Sequence, residues 1–243
     1  MENVLLTGGS GGIGQEIVKI FVENGYFVYV IDSNQSNSEK LIKNVGQDKC
    51  CVINLNVTDV EGLKNYVKEN SNLTFNHVIT CAGRAFEEEW KPFEEQSLEG
   101  IKKSIEVNLL GHINVIHTFL PLLKKAEGNK SILTISSVNA MQGFGLPAYS
   151  SAKAGLYGFT TSTMAELGAY GIRINTLSPG TVETEATKDE PKDFGKLLRG
   201  TALGKFASSK DVADLAFGMC VTFKTLTGQN VVLDAGQTKK REI

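Results

Sequence analysis

Val4-Leu5-Leu6-Thr7-Gly8-Gly9-Ser10-Gly11-Gly12-Ile13-Gly14 is the stretch that decides the fold. Val4, Leu5 and Leu6 read as a short buried strand. The glycine-rich turn after them opens a helix with Ile13, Ile17, Ile20 and Phe21 along one stripe. Phe27–Ile31 is a second strand and ends in Asp32. Strand, glycine turn, helix, strand and acid within about thirty residues is the arrangement a dinucleotide site requires. Glycines let the backbone approach a pyrophosphate, and the helix N-terminus offers N–H donors and the positive end of its dipole.

Outward from this unit, strands and helices keep alternating. Residues 34–47 are polar and read as a loop plus a short helix, and 51–55 as a third strand. Thr58 and Glu61 form a capping-box pattern that starts a helix with Val60, Leu63 and Val67 inward. Val78 and Ile79 mark a fourth strand, ending in Cys81-Ala82-Gly83. Residues 86–97, acidic and carrying Trp90 and Pro92, read as a surface connection, and 101–123 as one long helix containing Asn108 and Gly111. A fifth strand lies at 132–135 and a sixth at 172–177, broken by Ser178-Pro179-Gly180. Residues 183–200 are highly charged, contain Pro191 and Gly195, and read as a lid over a substrate. Residues 211–220 read as a helix, 231–233 as a seventh strand and 237–243 as a polar tail expected to fray.

This alternation implies an α/β, doubly wound fold: a seven-stranded parallel sheet with helices on both faces. No repeat or linker divides the chain, so residues 1–243 read as one domain. Ligands of such sheets bind beyond the carboxyl ends of the strands. The glycine turn, Asp32, Gly83, Ser137 and Pro179 all follow strand ends and gather on that edge.

Composition narrows the function. Hydrophobic residues make up 41% and charged residues 21% of 243, as in ordinary globular proteins, and the net charge of −2 gives no reason to expect nucleic acid or an anionic membrane. No apolar run approaches the roughly 20 residues of a membrane helix, and no secretory signal is visible. Cys50, Cys51, Cys81 and Cys220 have no metal or redox spacing, and His77, His112 and His117 add none. Reduced thiols in a cytoplasmic protein without a metal are the expectation.

A second stretch, 131–167, carries the chemistry. Its strand ends in Ser136 and Ser137, and Gly143, Gly145 and Pro147 break the loop that follows. Tyr149, Lys153, Leu156, Phe159, Met164 and Leu167 then fit a long buried helix, with Tyr149 and Lys153 one turn apart on the same face. A cation beside a phenol favours phenolate and lowers its pKa from about 10. Such a pair moves a proton to or from an alcohol or ketone oxygen. Strand alternation sends Ser136 and Ser137 to opposite sides, so only one faces the cleft.

These residues together resemble the short-chain dehydrogenase/reductase family over nearly the whole chain. Thr7-Gly8-x-x-x-Gly12-x-Gly14 is similar to its cofactor motif. Asn108, Ser137, Tyr149 and Lys153 stand in the order of its catalytic tetrad. Ser178-Pro179-Gly180-x-Val182-x-Thr184 resembles its nicotinamide-bordering segment, and Thr227-Gly228-Gln229 with Asp234-Ala235-Gly236 its C-terminal strand region. Two places differ: Thr80-Cys81-Ala82-Gly83 replaces the usual Asn-Asn-Ala-Gly, and Asn56 replaces the usual Asp near the adenine.

The resemblance implies a Rossmann fold and an NAD(P)-dependent oxidoreductase acting on a small-molecule alcohol or ketone. Tyr149 would be the general acid/base. Lys153 would lower its pKa and hold the nicotinamide ribose, Ser137 would polarise the substrate oxygen, and Asn108 would kink its helix and position a relay water. Thr7, Gly8, Ser10, Gly12, Ile13, Gly14, Asp32, Asn56, Val57, Ala82, Gly83, Pro179, Gly180, Val182 and Thr184 would join Tyr149 and Lys153 in holding the cofactor. Asp32, with Gly11 and Ser33 where a cation would stand, points to NAD over NADP. The family is usually dimeric or tetrameric, so a homodimer or homotetramer is expected.

Two other functions compete. One is a 3-oxoacyl-[acyl-carrier-protein] reductase, for which Lys192, Lys196 and Arg199 would meet an acidic carrier. The other is a Rossmann-type regulator that senses its cofactor and catalyses nothing. Asn139, Met141, Phe144, Leu146 and Thr181 are candidate substrate-pocket residues.

Overall fold

In a computed structural model that describes residues 1–184, 191 and 193–239, seven parallel strands form one sheet in the order β3-β2-β1-β4-β5-β6-β7. The strands are β1 (Asn3–Thr7), β2 (Phe27–Ile31), β3 (Cys50–Ile53), β4 (His77–Thr80), β5 (Lys130–Ile135), β6 (Ile172–Pro179) and β7 (Asn230–Leu233). β4 is the central strand and β1 lies beside it, with Val4 opposite both Val28 and His77. The order reverses between β1 and β4, which is where a doubly wound sheet opens its ligand crevice.

Strand alternation divides the core. Val4 and Leu6 point to a cluster with Ile17, Val18 and Phe21 of α1 (Gly12–Glu23) and with Val212, Ala213 and Ala216 of α8 (Ser209–Phe217). Leu5 points the other way, toward Val115, Phe119 and Leu122 of α5 (Gly111–Lys124) and Leu63 of α3 (Val60–Glu69). Both clusters are nearly inaccessible to water, the burial that holds such layers together. α2 (Gln35–Val45) adds Leu41 to the first cluster. α4 (Leu98–Ile105), α6 (Pro147–Gly168) and α7 (Phe194–Arg199) complete the helices used below.

Several local expectations change. The third strand begins one residue early and stops at Ile53, and α3 is capped by Asp59, whose Oδ1 accepts from Gly62 N at 2.9 Å. Asp59 stands one residue nearer the helix than Thr58, and its carboxylate is the better acceptor there. The long helix expected over 101–123 is three pieces: α4, a π-helical turn at Glu106–Leu110, and α5. Met164 is 39% exposed rather than inward. Residues 237–239 do not fray: Gln237 Oε1 accepts from Thr181 N at 3.0 Å, and Asp234 Oδ2 accepts from Thr238 N and Oγ1, both at 2.7 Å. The lid expected over 183–200 contains α7, while 185–190 and 192, like 240–243 of the tail, lie outside the described residues.

Candidate active site

At Gly8, Gly12 and Gly14 the glycine turn packs too closely against its neighbours to accept a side chain unchanged. Gly8 has φ +70°, and a Cβ there would stand 2.8 Å from Ala82 Cα. A Cβ on Gly14 would stand 2.1 Å from Gly8 O, and one on Gly12 would meet Thr184 Cγ2 at 2.7 Å. No side chain caps α1 at Gly11. Thr7 Oγ1 accepts from both Cys81 N and Ala82 N at 3.0 Å, tying β1 to the end of β4. Ile13 packs on the first core cluster and Val182 is buried within it.

Asp32 closes the turn from the second strand. Its Oδ2 accepts from Ser10 N at 3.0 Å and from Ser10 Oγ at 2.7 Å, and its Oδ1 accepts from Asn34 N at 2.9 Å. Ser10 therefore orients the carboxylate. At the far side of the crevice Asn56 is exposed and its Oδ1 accepts from Thr58 N at 3.1 Å. Val57 is buried against Gly111, where a Cβ would be 2.5 Å from Val57 Cγ2.

Tyr149 and Lys153 share a face of α6, with Lys153 Nζ 5.7 Å from the Tyr149 ring centroid. Lys153 is 3% exposed, and its Nζ donates to Ile135 O at 2.9 Å and lies 3.4 Å from His112 Nε2. Burial pulls its pKa down to about 8. His112 is fully buried, with Nδ1 2.8 Å from Thr80 Oγ1, and burial, then Lys153, hold the imidazole well below its ordinary value. It is neutral beside the ammonium. Burial likewise pushes Cys81 up to about 11, so it remains a thiol.

The adjacent serines divide. Ser136, buried, donates its Oγ to Lys153 O at 2.8 Å and braces α6. Ser137, half-buried, turns the other way; its Oγ accepts from Asn139 N at 3.2 Å. Asn108 sits in the π-helical turn, fully buried. Its Oδ1 accepts from Arg84 N and its Nδ2 donates to Arg84 O, both at 2.9 Å. A Cβ on Gly83 would lie 2.5 Å from Asn108 Oδ1 and 3.2 Å from Lys153 Nζ, so the segment that follows β4 runs close against both. Pro179 is buried at the end of β6, and Gly180 N donates to Leu233 O at 2.8 Å.

The expected residues thus lie along one sheet edge, with Gly8 on Ala82, Gly12 on Thr184, and Gly83 close against Asn108 and Lys153. The Asn56 side chain is engaged locally, by Thr58 N. Three contributors have no sequence motif. His112 follows Asn108 by one helical turn and fills the space beside Thr80, so the altered residues 80–81 were its only signal. Gln237 holds the 180–182 loop from the tail. Glu89, in the segment expected to be surface, is 4% exposed and accepts from Tyr149 N at 2.9 Å through Oε2. Among the described residues no cluster of His, Cys, Asp and Glu suits a metal, and no helix is long and apolar enough to cross a membrane.

Comparison with known proteins agrees with this architecture. The family described as short chain dehydrogenase matches residues 2–194. Trans-4-hydroxycyclohexanecarboxylate dehydrogenase of Sinomonas cyclohexanicum is 27% identical, covering 96% of this chain and 92% of its own. A 3-oxoacyl-[acyl-carrier-protein] reductase of Thermotoga maritima is 29% identical, covering 96% of each chain. The crystal structure of a 3-oxoacyl-[acyl-carrier protein] reductase from Brucella melitensis superposes with a TM-score of 0.90 at 26% identity, over 98% of this chain and 92% of that one. Another from the same organism, with bound NAD, gives 0.88 at 26% identity, over 98% and 92%. The chain belongs to the short-chain dehydrogenase family and is an oxidoreductase.

Proposed function

We propose that this oxidoreductase moves a hydride between a nicotinamide cofactor, NAD in preference to NADP, and a secondary alcohol or ketone, with Tyr149 as general acid and base. The observation that carries the reading is the pairing of Tyr149 with a buried Lys153 on one face of α6, beside the glycine turn. The residues present fit the cofactor. The side-chain-free cradle of Gly8, Gly12 and Gly14 and the uncapped start of α1 would take the pyrophosphate. Asp32 Oδ1 has a second lone pair to offer the adenosine ribose, whereas a 2′-phosphate would meet a carboxylate. Asn56 and Val57 would border the adenine. Ala82, Gly83, Pro179, Gly180, Val182 and Thr184 would line the remainder.

The bound nicotinamide supplies or takes the hydride. In oxidation the Tyr149 phenolate accepts the hydroxyl proton; in reduction the phenol returns it to the carbonyl oxygen. Lys153, an ammonium below its pKa of about 8, favours the phenolate and holds the nicotinamide ribose. Ser137 hydrogen-bonds the substrate oxygen. Asn108 shapes the back of the site through the π-helical turn, where a water relays protons by way of Lys153.

The Sinomonas relative acts on a hydroxycyclohexane carboxylate, which makes 4-oxocyclohexanecarboxylate the first ketone to assay. A carrier-linked 3-oxoacyl substrate is the second reading, favoured by the reductases among the relatives and by exposed Lys196 and Arg199 on α7. Lys192 lies outside the described residues. Loss of 340-nm absorbance from NADH with each ketone, and with an acetoacetyl thioester, decides between them. Tyr149→Phe should abolish turnover and leave NADH affinity unchanged; normal turnover would overturn the assignment. Exposed Leu110, Tyr157 and Met164 support assembly into a homodimer or homotetramer, which sedimentation would measure.

A further inference from the structure

Two neighbouring acids on the short turn Glu87–Trp90 end at the N-termini of two different helices. Glu88 serves α4: its Oε1 accepts from Ser97 N and its Oε2 from Ser97 Oγ, both at 2.9 Å. These bonds, the backbone one first, hold its carboxyl below the usual range. Glu89 turns the other way. Its Oε2 accepts from Tyr149 N at 2.9 Å, while its Oε1 accepts from Phe86 N at 3.2 Å and closes its own turn. Gln96 stiffens the same turn by donating Nε2 to Glu89 O at 3.0 Å and to Lys91 O at 2.9 Å.

α6 depends on this outside acceptor. Its N-cap is Leu146, a left-handed residue at φ 57° and ψ 63° with no side-chain cap. Pro147 has no N–H, and Ser150 N already donates to Leu146 O at 2.8 Å. Of the first-turn donors this leaves Ala148 and Tyr149, and Glu89 takes the one on Tyr149. A buried carboxylate is stabilised there by the positive end of the helix dipole.

We propose that Glu89 is a positioning residue for the reaction: it fixes the first turn of α6, and so the phenol of Tyr149 relative to Lys153, while Glu88 ties the same turn to the helix that leads into Asn108. The proposal rests on Tyr149 being the acid/base. It is tested on the full chain with Glu89→Gln, which keeps an acceptor oxygen, and Glu89→Ala, which removes it. Glu89→Met, which keeps the stem, replaces the alanine variant if that fails to fold. The probes are NADH affinity by fluorescence, turnover per NADH site with the best ketone found above, the isotope effect with 4-deuterated NADH, and amide exchange of the peptide spanning 147–152.

In Glu89→Ala, turnover should fall about tenfold or more, the isotope effect should grow, and exchange should quicken, with NADH affinity within about twofold. Glu89→Gln should lose clearly less than Glu89→Ala in each, since its amide oxygen can still accept from Tyr149 N while its NH2 group cannot accept from Phe86 N. Unchanged turnover and exchange in Glu89→Ala would overturn the proposal, as would an equal loss in Glu89→Gln or a parallel loss of NADH binding. Tyr149→Phe separates the two ideas. If it stays active, the acid/base reading fails; if it is dead while Glu89→Ala is normal, only the role of Glu89 fails.

Discussion

Lys153 Nζ lies 3.4 Å from His112 Nε2 and donates to Ile135 O at 2.9 Å, so the buried ammonium rests on a neutral imidazole and a carbonyl, and neither is a carboxylate. Placing it there costs stability. The folded pKa of about 8 is below the unfolded value of 10.5. Below about pH 8 both states hold the proton and the folded state carries the full cost of burial, on the order of 3 kcal/mol. From about pH 8 to 10.5 the unfolded chain binds more protons, so this contribution to stability rises with pH. Without cofactor, Lys153→Met should therefore unfold at higher urea than the parent at pH 7, and the gap should narrow by pH 9.5. A destabilised variant at pH 7 would contradict this.

Asp32 should set cofactor choice. Wild-type kcat/KM should favour NAD over NADP by about tenfold or more. Asp32→Ala removes the acceptor of Ser10 N and Oγ as well as the ribose partner, so it should weaken NAD binding and shrink the ratio. Parallel titrations with both cofactors measure this, and equal kcat/KM in the parent would refute it.

The two serines should separate cleanly. Ser137→Ala should lower kcat by about 100-fold with little change in NADH affinity, the loss seen when a donor to a reacting oxygen is removed. Ser136→Ala removes only the donor to Lys153 O, so it should cost about 1 kcal/mol of stability and little turnover. Turnover and urea unfolding on both variants give the comparison; a more damaging Ser136→Ala would reverse the assignment.

Two glycine changes should have opposite effects. A methyl on Gly83 would crowd Asn108 Oδ1 and Lys153 Nζ, so Gly83→Ala should abolish turnover and weaken NADH binding. Gly158, exposed in the middle of α6, has nothing within 4 Å of its would-be Cβ. Gly158→Ala should stabilise by about 0.5–1 kcal/mol and raise Tm by about 1–4 °C with turnover unchanged. Calorimetry and a single assay check both.

Much of this was legible because it follows from periodicity and glycine placement. Leu5 between Val4 and Leu6 already implied two core faces, and 8–14 with Asp32 implied the crevice. What escaped depends on contacts across long sequence separations. Glu89 looks like one more acid in an acidic surface loop, and only the folded chain brings it to an amide 60 positions later. His112 on α5 reads as an unremarkable helix polar residue until β4 sets Thr80 beside it. A kink at Asn108 was expected from the resemblance, but its form was not legible in the residues: a π-helical turn keeps helical composition and changes only the count.

That count has a consequence for insertions and deletions. An extra residue at Glu106–Leu110 turns everything after it by roughly 100° about the helix axis. Asn108 can therefore reach the Arg84 backbone while Val115 and Phe119, farther along, still face the sheet. Removing a single residue there would yield a more regular helix whose two ends are out of phase, so either the amide leaves Arg84 or the aromatic ring of Phe119 leaves the core. Along these helices 106–110 should be the segment least tolerant of a change in length, although substitutions of similar shape at Leu109 or Leu110 would pass.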